Sequence, residues 1–190
     1  MDCVSPTVAC AGGVTPSPKP SPTPTQRTIP AITLTDLVSF RPAPPRLASE
    51  PDGIGVAGLP LNLVATTSMQ RLTGTLFDFP VTVRFAPHHY DWHYGDGATQ
   101  TTAGGGATWA ATGDPQFTPT PTSHTYTQRG TYTASVTVFY APDVNFGDGI
   151  WRPVAGYVTA TSTTQSIRIL EARTALVAHT CVEDPAGPGC

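Results

Sequence analysis

Apolar residues recur at every second position in two stretches of the chain. Val81, Val83 and Phe85 alternate with Thr82 and Arg84. Further on, Tyr132, Ala134, Val136, Val138 and Tyr140 alternate with Thr133, Ser135 and Thr137. A period of two is that of a strand with one buried face. Runs of β-branched and aromatic residues bounded by Gly, Pro and Asp predict further strands over 59–66, 73–77, 90–94, 154–161 and 164–170. Residues 32–40 read as a short strand or turn. About seven short strands separated by turns predict an all-β chain folded as an immunoglobulin-like sandwich. Two connections are long, 98–123 and 141–153. In the first, one short strand is expected at 108–111, and Gly104-Gly105-Gly106 reads as a flexible loop tip. In the second, Asn145-Phe146-Gly147-Asp148-Gly149 reads as a hairpin loop.

Composition supports this reading. The 190 residues include 21 Pro and 18 Gly, which weighs against long helices. Over 14–31, Pro alternates with Ser and Thr, so the backbone there is extended and coreless. Such a segment serves either as a stalk or as an ordinary tail. The chain divides accordingly into a Cys-containing, Pro/Ser/Thr-rich tail over 1–53, a folded domain over 54–171 and a C-terminal tail over 172–190.

Charged residues are only 12% of the chain and the net charge is -3, with no basic stripe to neutralise phosphates, so nucleic acid is not an expected partner. No apolar run reaches the ~18–20 residues of a membrane-spanning helix. No secretory leader is read at Met1-Asp2-Cys3. The four cysteines, Cys3, Cys10, Cys181 and Cys190, all lie in the tails. Local pairs, Cys3 with Cys10 and Cys181 with Cys190, are the simplest arrangement, and a pairing that ties the two tails together is the alternative. Neither tail has Cys-x-x-Cys spacing, which disfavours zinc. An even, widely spaced set fits an oxidising compartment, so the expected location is extracellular or in the cell envelope.

Two segments carry a family resemblance. The first is Tyr90-Asp91-Trp92-His93-Tyr94-Gly95-Asp96-Gly97. The second runs His124-Thr125-Tyr126, then Gly130-Thr131-Tyr132, into the longest alternating stretch. Together they resemble the PKD (polycystic kidney disease) domain pattern of Trp-Asp-Phe-Gly-Asp-Gly followed by His-x-Tyr-x-x-x-Gly-x-Tyr. His93 stands where that pattern usually has Asp, Tyr94 where it usually has Phe, and the insert between the motifs is long. The resemblance implies structural roles for Trp92, Tyr94, Gly95, Asp96, Gly97, His124, Tyr126, Gly130 and Tyr132. Trp92 is large enough to plug a sandwich core. Gly-Asp-Gly is turn chemistry. Gly130-x-Tyr132-x-Ala134 has the spacing of a tyrosine corner, with the ring in the core and the hydroxyl bonded to backbone just upstream. Ala134 stands at the usual core-cysteine place, so an inter-sheet disulfide is not expected.

Candidate chemistry is sparse. His88, His89 and His93 lie close in sequence and, with Asp91, could hold zinc or copper; the alternative is a set of edge histidines beside a core Trp. Asp114, Asp143, Asn145 and Asp148 are loop oxygen donors of the kind calcium uses, although Asp-Gly is also plain turn chemistry. No nucleophile elbow, carboxylate pair or phosphate-cradling glycine motif is present, so neither an enzyme nor a cofactor is expected. Trp109 and Trp151 sit in or beside the long loops, where a Trp either stacks on a ligand or caps the end of the sandwich. The expected function is a non-catalytic extracellular interaction or spacer module of a bacterial surface or secreted protein, with an unknown protein or polysaccharide as partner. A carbohydrate-binding accessory module is the alternative, and a metal-binding or enzymatic protein using the histidines is a second.

Overall fold

The computed structural model describes residues 29–173 and 180–187. The chain forms two mostly antiparallel layers, as expected of an all-β immunoglobulin-like sandwich. The smaller sheet holds β1 (Arg46–Glu50), β3 (Pro60–Thr66) and β7 (His124–Thr125) in the order β1-β3-β7. The larger holds β2 (Ile54–Val56), β4 (Gln70–Leu76), β5 (Phe79–His93), β8 (Gly130–Asn145) and β11 (Gln165–Leu170) in the order β2-β11-β8-β5-β4. Three short strands flank it. β6 (Thr99–Thr102) lies beside β5, and β9 (Arg152–Pro153) and β10 (Val158–Thr161) lie beside β8. Eleven strands among the described residues thus replace the seven expected, because short edge segments leave little periodic signal. One pair is parallel: β2 beside β11, with Ile54 opposite Arg168 and Val56 opposite Leu170.

The backbone of the fold is the long β5–β8 pair. Its two apolar segments, 81–85 and 90–93, belong to one strand and not to two. They differ in parity: Val81, Val83 and Phe85 are buried at odd positions, Tyr90 and Trp92 at even ones. The register explains how both face the core. Pro87 lies opposite Tyr140 and His89 opposite Phe139, so His88 is an extra residue, a β-bulge. In β8 the alternation runs unbroken. Ala134, Val136, Val138, Tyr140 and Val144 are all buried, which extends the expected strand past 140 into the second long connection. The residues after it turn back through β9, so 145–149 is the hairpin loop the sequence suggests.

The folded unit begins at Ala31, upstream of the expected start near Ile54. Residues 34–37 form a 3-10 turn and β1 pairs along β3. Leu37 and Phe40 are buried in the same core as Trp92. The apolar residues of 32–40 follow no strand or helix period, which is why the sequence did not mark them as core. Two glycines record how closely this segment packs. A methyl group at Gly74 of β4 would lie 2.7 Å from the Phe40 ring, and one at Gly156 would lie 2.6 Å from Leu34. The Gln70 side chain fastens the segment further, accepting from the Ala43 amide at 2.7 Å and donating to its carbonyl at 3.1 Å.

Because Phe40 is a core residue and not part of a linker, Phe40→Ala should destabilise the chain by ~3–5 kcal/mol, the usual cost of emptying a buried aromatic site. A urea titration reads this directly. An unchanged midpoint would show that residues 31–45 do not belong to the cooperative unit.

Candidate functional site

The motif residues meet where β5 turns into β6. Gly95 and Gly97 have φ of 87° and 94°, a region that costs other residues dearly. Gly95 also lies so close to β8 that a methyl group there would come within 2.5 Å of the Thr133 carbonyl oxygen. Between them, Asp96 faces two ways. Its Oδ1 accepts from the Ala98 amide at 3.0 Å, closing the turn, and its Oδ2 accepts from Nε2 of His124 at 2.6 Å. His124 belongs to β7 in the other sheet, so this bond ties one layer to the other.

Three tyrosines complete the tie. The buried Tyr126 hydroxyl donates to the Tyr94 carbonyl at 2.8 Å, and the Tyr94 hydroxyl donates to Oε1 of Gln100 at 2.7 Å. The His124 ring stacks on Tyr94 with centroids 4.1 Å apart, Tyr126 meets His124 edge-on, and Tyr132 stacks on Tyr126 at 4.5 Å. Burial, with the nearby Asp96 charge, pushes the Tyr94 hydroxyl up to about 12 and drives Tyr126 upward as well. Partial burial works against the Asp96 carboxylate. The hydrogen bond from His124 and that from the Ala98 amide, with the His124 charge, outweigh it and hold the group below the usual aspartate range.

Trp92 and Gly130 also take their expected places. Trp92 is fully buried, and its Nε1 donates to Oγ1 of Thr102 at 2.8 Å. Gly130 opens β8 beside the Tyr132 ring. The tyrosine corner holds in one part and not in another. The Tyr132 hydroxyl does bond backbone upstream, donating to the Gln128 carbonyl at 3.0 Å, but this bond is exposed and the ring is only partly buried. The buried inter-layer hydroxyl is that of Tyr126. At the third position of a long strand, Tyr132 lies near the rim of the sandwich, where the core ends.

The long connection is docked and not flexible. Thr102 passes the Trp92 bond on to the Gly104 carbonyl, and the Gly105 carbonyl accepts from the Ala65 amide of β3 at 2.7 Å. A methyl group at Gly105 would collide with Ala65, so these glycines serve close approach. Residues 109–112 form one helical turn, not a strand, capped by the Thr108 side chain. Trp109 within it is 4% exposed and donates its Nε1 to the Thr118 carbonyl, so it caps the fold and is not a ligand contact. Asn62, which sequence reasoning missed, organises this loop. Fully buried, it donates to Glu50 and to the Ala107 carbonyl, and its Oδ1 accepts from Thr120 at 2.7 Å. A lone Asn between Leu61 and Leu63 in an apolar strand was the available signal. The cleft beside the loop, about 460 Å³, is lined by Thr102, Thr112, Thr120 and Thr122, whose hydroxyls already bond within the chain.

The second Gly-Asp-Gly repeats the first. Gly147 and Gly149 have φ of 86° and 79°, and Oδ1 of Asp148 accepts from the Ile150 amide at 3.0 Å. Its Oδ2, however, pairs with Arg152 of the adjoining β9 at 2.6 Å, and that hydrogen bond first of all holds the Asp148 carboxyl at about 2. Asp143 binds Arg84 directly across the β5–β8 pair at 2.7 Å, and the Arg84 guanidinium lies 4.4 Å from the Trp151 ring centroid. One face of Trp151 is therefore covered by its own chain. Asn145 accepts from the Gly147 amide. Asp143, Asn145 and Asp148 thus bond within their own chain.

His88 and His89 meet, with their Nδ1 atoms 2.9 Å apart, but His93 does not join them. Among the described residues no group of three His, Cys, Asp or Glu side chains converges. Asp91 accepts from the Thr101 hydroxyl instead. A His–Asp pair such as His124–Asp96 is the orienting half of a nucleophilic triad, yet the neighbouring Ser123 hydroxyl donates to the Thr120 carbonyl. Of the cysteines only Cys181 falls among the described residues, and the pairing of Cys3, Cys10, Cys181 and Cys190 lies outside them. Among the described residues, no helix is long and apolar enough to cross a membrane. The chain matches no family model and no curated protein.

Two predictions follow from this geometry. Tyr126→Phe leaves the buried Tyr94 carbonyl unpaired and should cost ~1–3 kcal/mol, whereas Tyr132→Phe breaks an exposed bond and should cost ~1 kcal/mol or less. Denaturant midpoints of the two variants check the order, and equal losses would remove the distinction between them. Asp96 and Asp148 are both held below the ~3.9 of a free aspartate, so the unfolded chain binds more protons in acid. Their contribution is fully present above the unfolded value and is lost as pH falls toward the folded ones. Asp96→Asn should therefore flatten the decline in stability below about pH 5, measured as urea midpoint against pH.

Proposed function

We propose that this chain is a non-catalytic extracellular module of PKD type, part of a bacterial surface or secreted protein, which engages or spaces a protein or polysaccharide partner. The observation that carries the proposal is the use made of the motif side chains. Asp96, His124 and Tyr126 carry the most reactive chemistry of the motif and bond across the two layers, while the Tyr94 hydroxyl bonds Gln100 within the larger sheet. Polar groups assigned to holding layers in register serve a module whose task is to keep a shape between other parts of a protein. The low charge and the Thr-rich strand faces agree with a surface that water covers readily. The carbohydrate-binding alternative keeps Trp151 as its one candidate contact, half-buried with one face against Arg84, since Trp109 is buried.

Location is the sharpest test. In material taken from its native compartment without reductant, Cys3, Cys10, Cys181 and Cys190 should all be oxidised, and protease added to intact cells should cleave the chain. Mass mapping of the thiols reads the first and immunoblotting the second. Four free thiols together with protection from external protease would overturn an extracellular role.

A further inference from the structure

The bulge in β5 does more than change the strand's phase. In a regular strand, neighbours point to opposite faces. At a bulge, two residues oppose one on the partner strand, and their side chains can share a face. His88 and His89 occupy this one place in β5, and their Nδ1 atoms approach to 2.9 Å. Both rings are held by their surroundings. His89 stacks flat on Phe139, with centroids 4.1 Å apart and 17° between planes. His88 packs against Tyr157 at 4.7 Å, and its Nε2 lies 3.3 Å from the Tyr157 hydroxyl.

The geometry points to a two-histidine site for a divalent metal of planar coordination, Cu(II) or Ni(II), at Nδ1 of His88 and Nδ1 of His89. Two nitrogens each ~2.0 Å from one metal lie about 2.8 Å apart when they subtend a right angle, and about 3.3 Å apart at a tetrahedral one. The observed separation matches the planar value. Water fills the remaining positions, and the site is open to it because His88 is exposed. With its proton on Nε2, facing the Tyr157 hydroxyl, His88 has a free lone pair on Nδ1, which then accepts from Nδ1–H of His89. Tyr157 is a positioning residue, since an outer hydrogen bond of this kind fixes a ligating imidazole's tautomer.

Titration of the oxidised full chain with copper(II) or nickel(II) chloride tests this by calorimetry, with electron paramagnetic resonance on the copper form. One equivalent should bind, and the copper spectrum should show coupling to two nitrogens. His88→Ala and His89→Ala should each weaken binding at least ~10-fold, Tyr157→Phe should weaken it less, and His93→Ala should leave it unchanged. His88 is exposed, so its replacement should not perturb folding, which the urea midpoint checks. Absence of binding to the wild type would overturn the proposal. So would undiminished binding in the double variant, which would place the metal elsewhere on the chain. Either result leaves the reading of the chain as an extracellular module untouched.

Discussion

The single extra residue at His88 is the constraint on which the larger sheet depends. Side chains on a strand alternate strictly, so a strand whose apolar residues change parity cannot bury both halves without an insertion. β5 changes parity between Phe85 and Tyr90 while its partner β8 does not. Without the bulge, either Val81, Val83 and Phe85 or Tyr90 and Trp92 would face water. With it, one continuous pair of strands serves two stretches of core. The smaller sheet covers one stretch, and the segment carrying Leu37 and Phe40 joins the same apolar cluster. That segment is consequently structural: the long pair extends beyond what three short strands can cover.

The two Gly-Asp-Gly turns show how one local solution takes on different work from its surroundings. Backbone angles and the amide bond from Oδ1 are alike in both. The side-chain partner differs: Arg152 reaches both oxygens of Asp148, and His124 reaches only Oδ2 of Asp96. Arg152 comes from the adjoining strand, so the Asp148 pair stiffens a hairpin and, being exposed, contributes little to stability. His124 comes from the opposite sheet, so the Asp96 pair joins layers, backed by the buried Tyr126 bond. In an immunoglobulin domain a disulfide supplies this cross-link. Here the cross-link between layers is built from hydrogen bonds and stacked rings at the rim.

The parts of the fold carried by periodicity were legible in the sequence. β8 declares itself in five alternating apolar residues, and Trp92, Gly95 and Asp96 announce a strand ending in a tight turn. Features that depend on contacts distant in sequence were not legible. Nothing local marks Phe40 as core, since its partner Gly74 lies in another strand, and a glycine reads as a turn wherever it occurs. Gly104-Gly105-Gly106 misled for the same reason: its glycines answer to the Ala65 backbone and not to a bend of their own. Tyr132 and Tyr126 were both in view, but which hydroxyl is buried depends on where the sandwich ends. Trp109 stayed open between a ligand contact and a cap because its cover, the Thr118 carbonyl and the loop around it, has no period.

The parallel pairing of β2 with β11 bears on how the chain would carry a load. The N-terminal end of one parallel strand and the C-terminal end of its neighbour point in opposite directions. A pull between the chain before Ile54 and the chain after Leu170 would slide these strands lengthwise past each other. The bonds from the Arg168 amide to Gly53 and from the Ala57 amide to Leu170, each 2.8 Å, lie at the two ends of that contact and would be strained together. Antiparallel strands pulled apart from one end open like a zip, one bond after another. Strands sheared in this way load all three paired positions together.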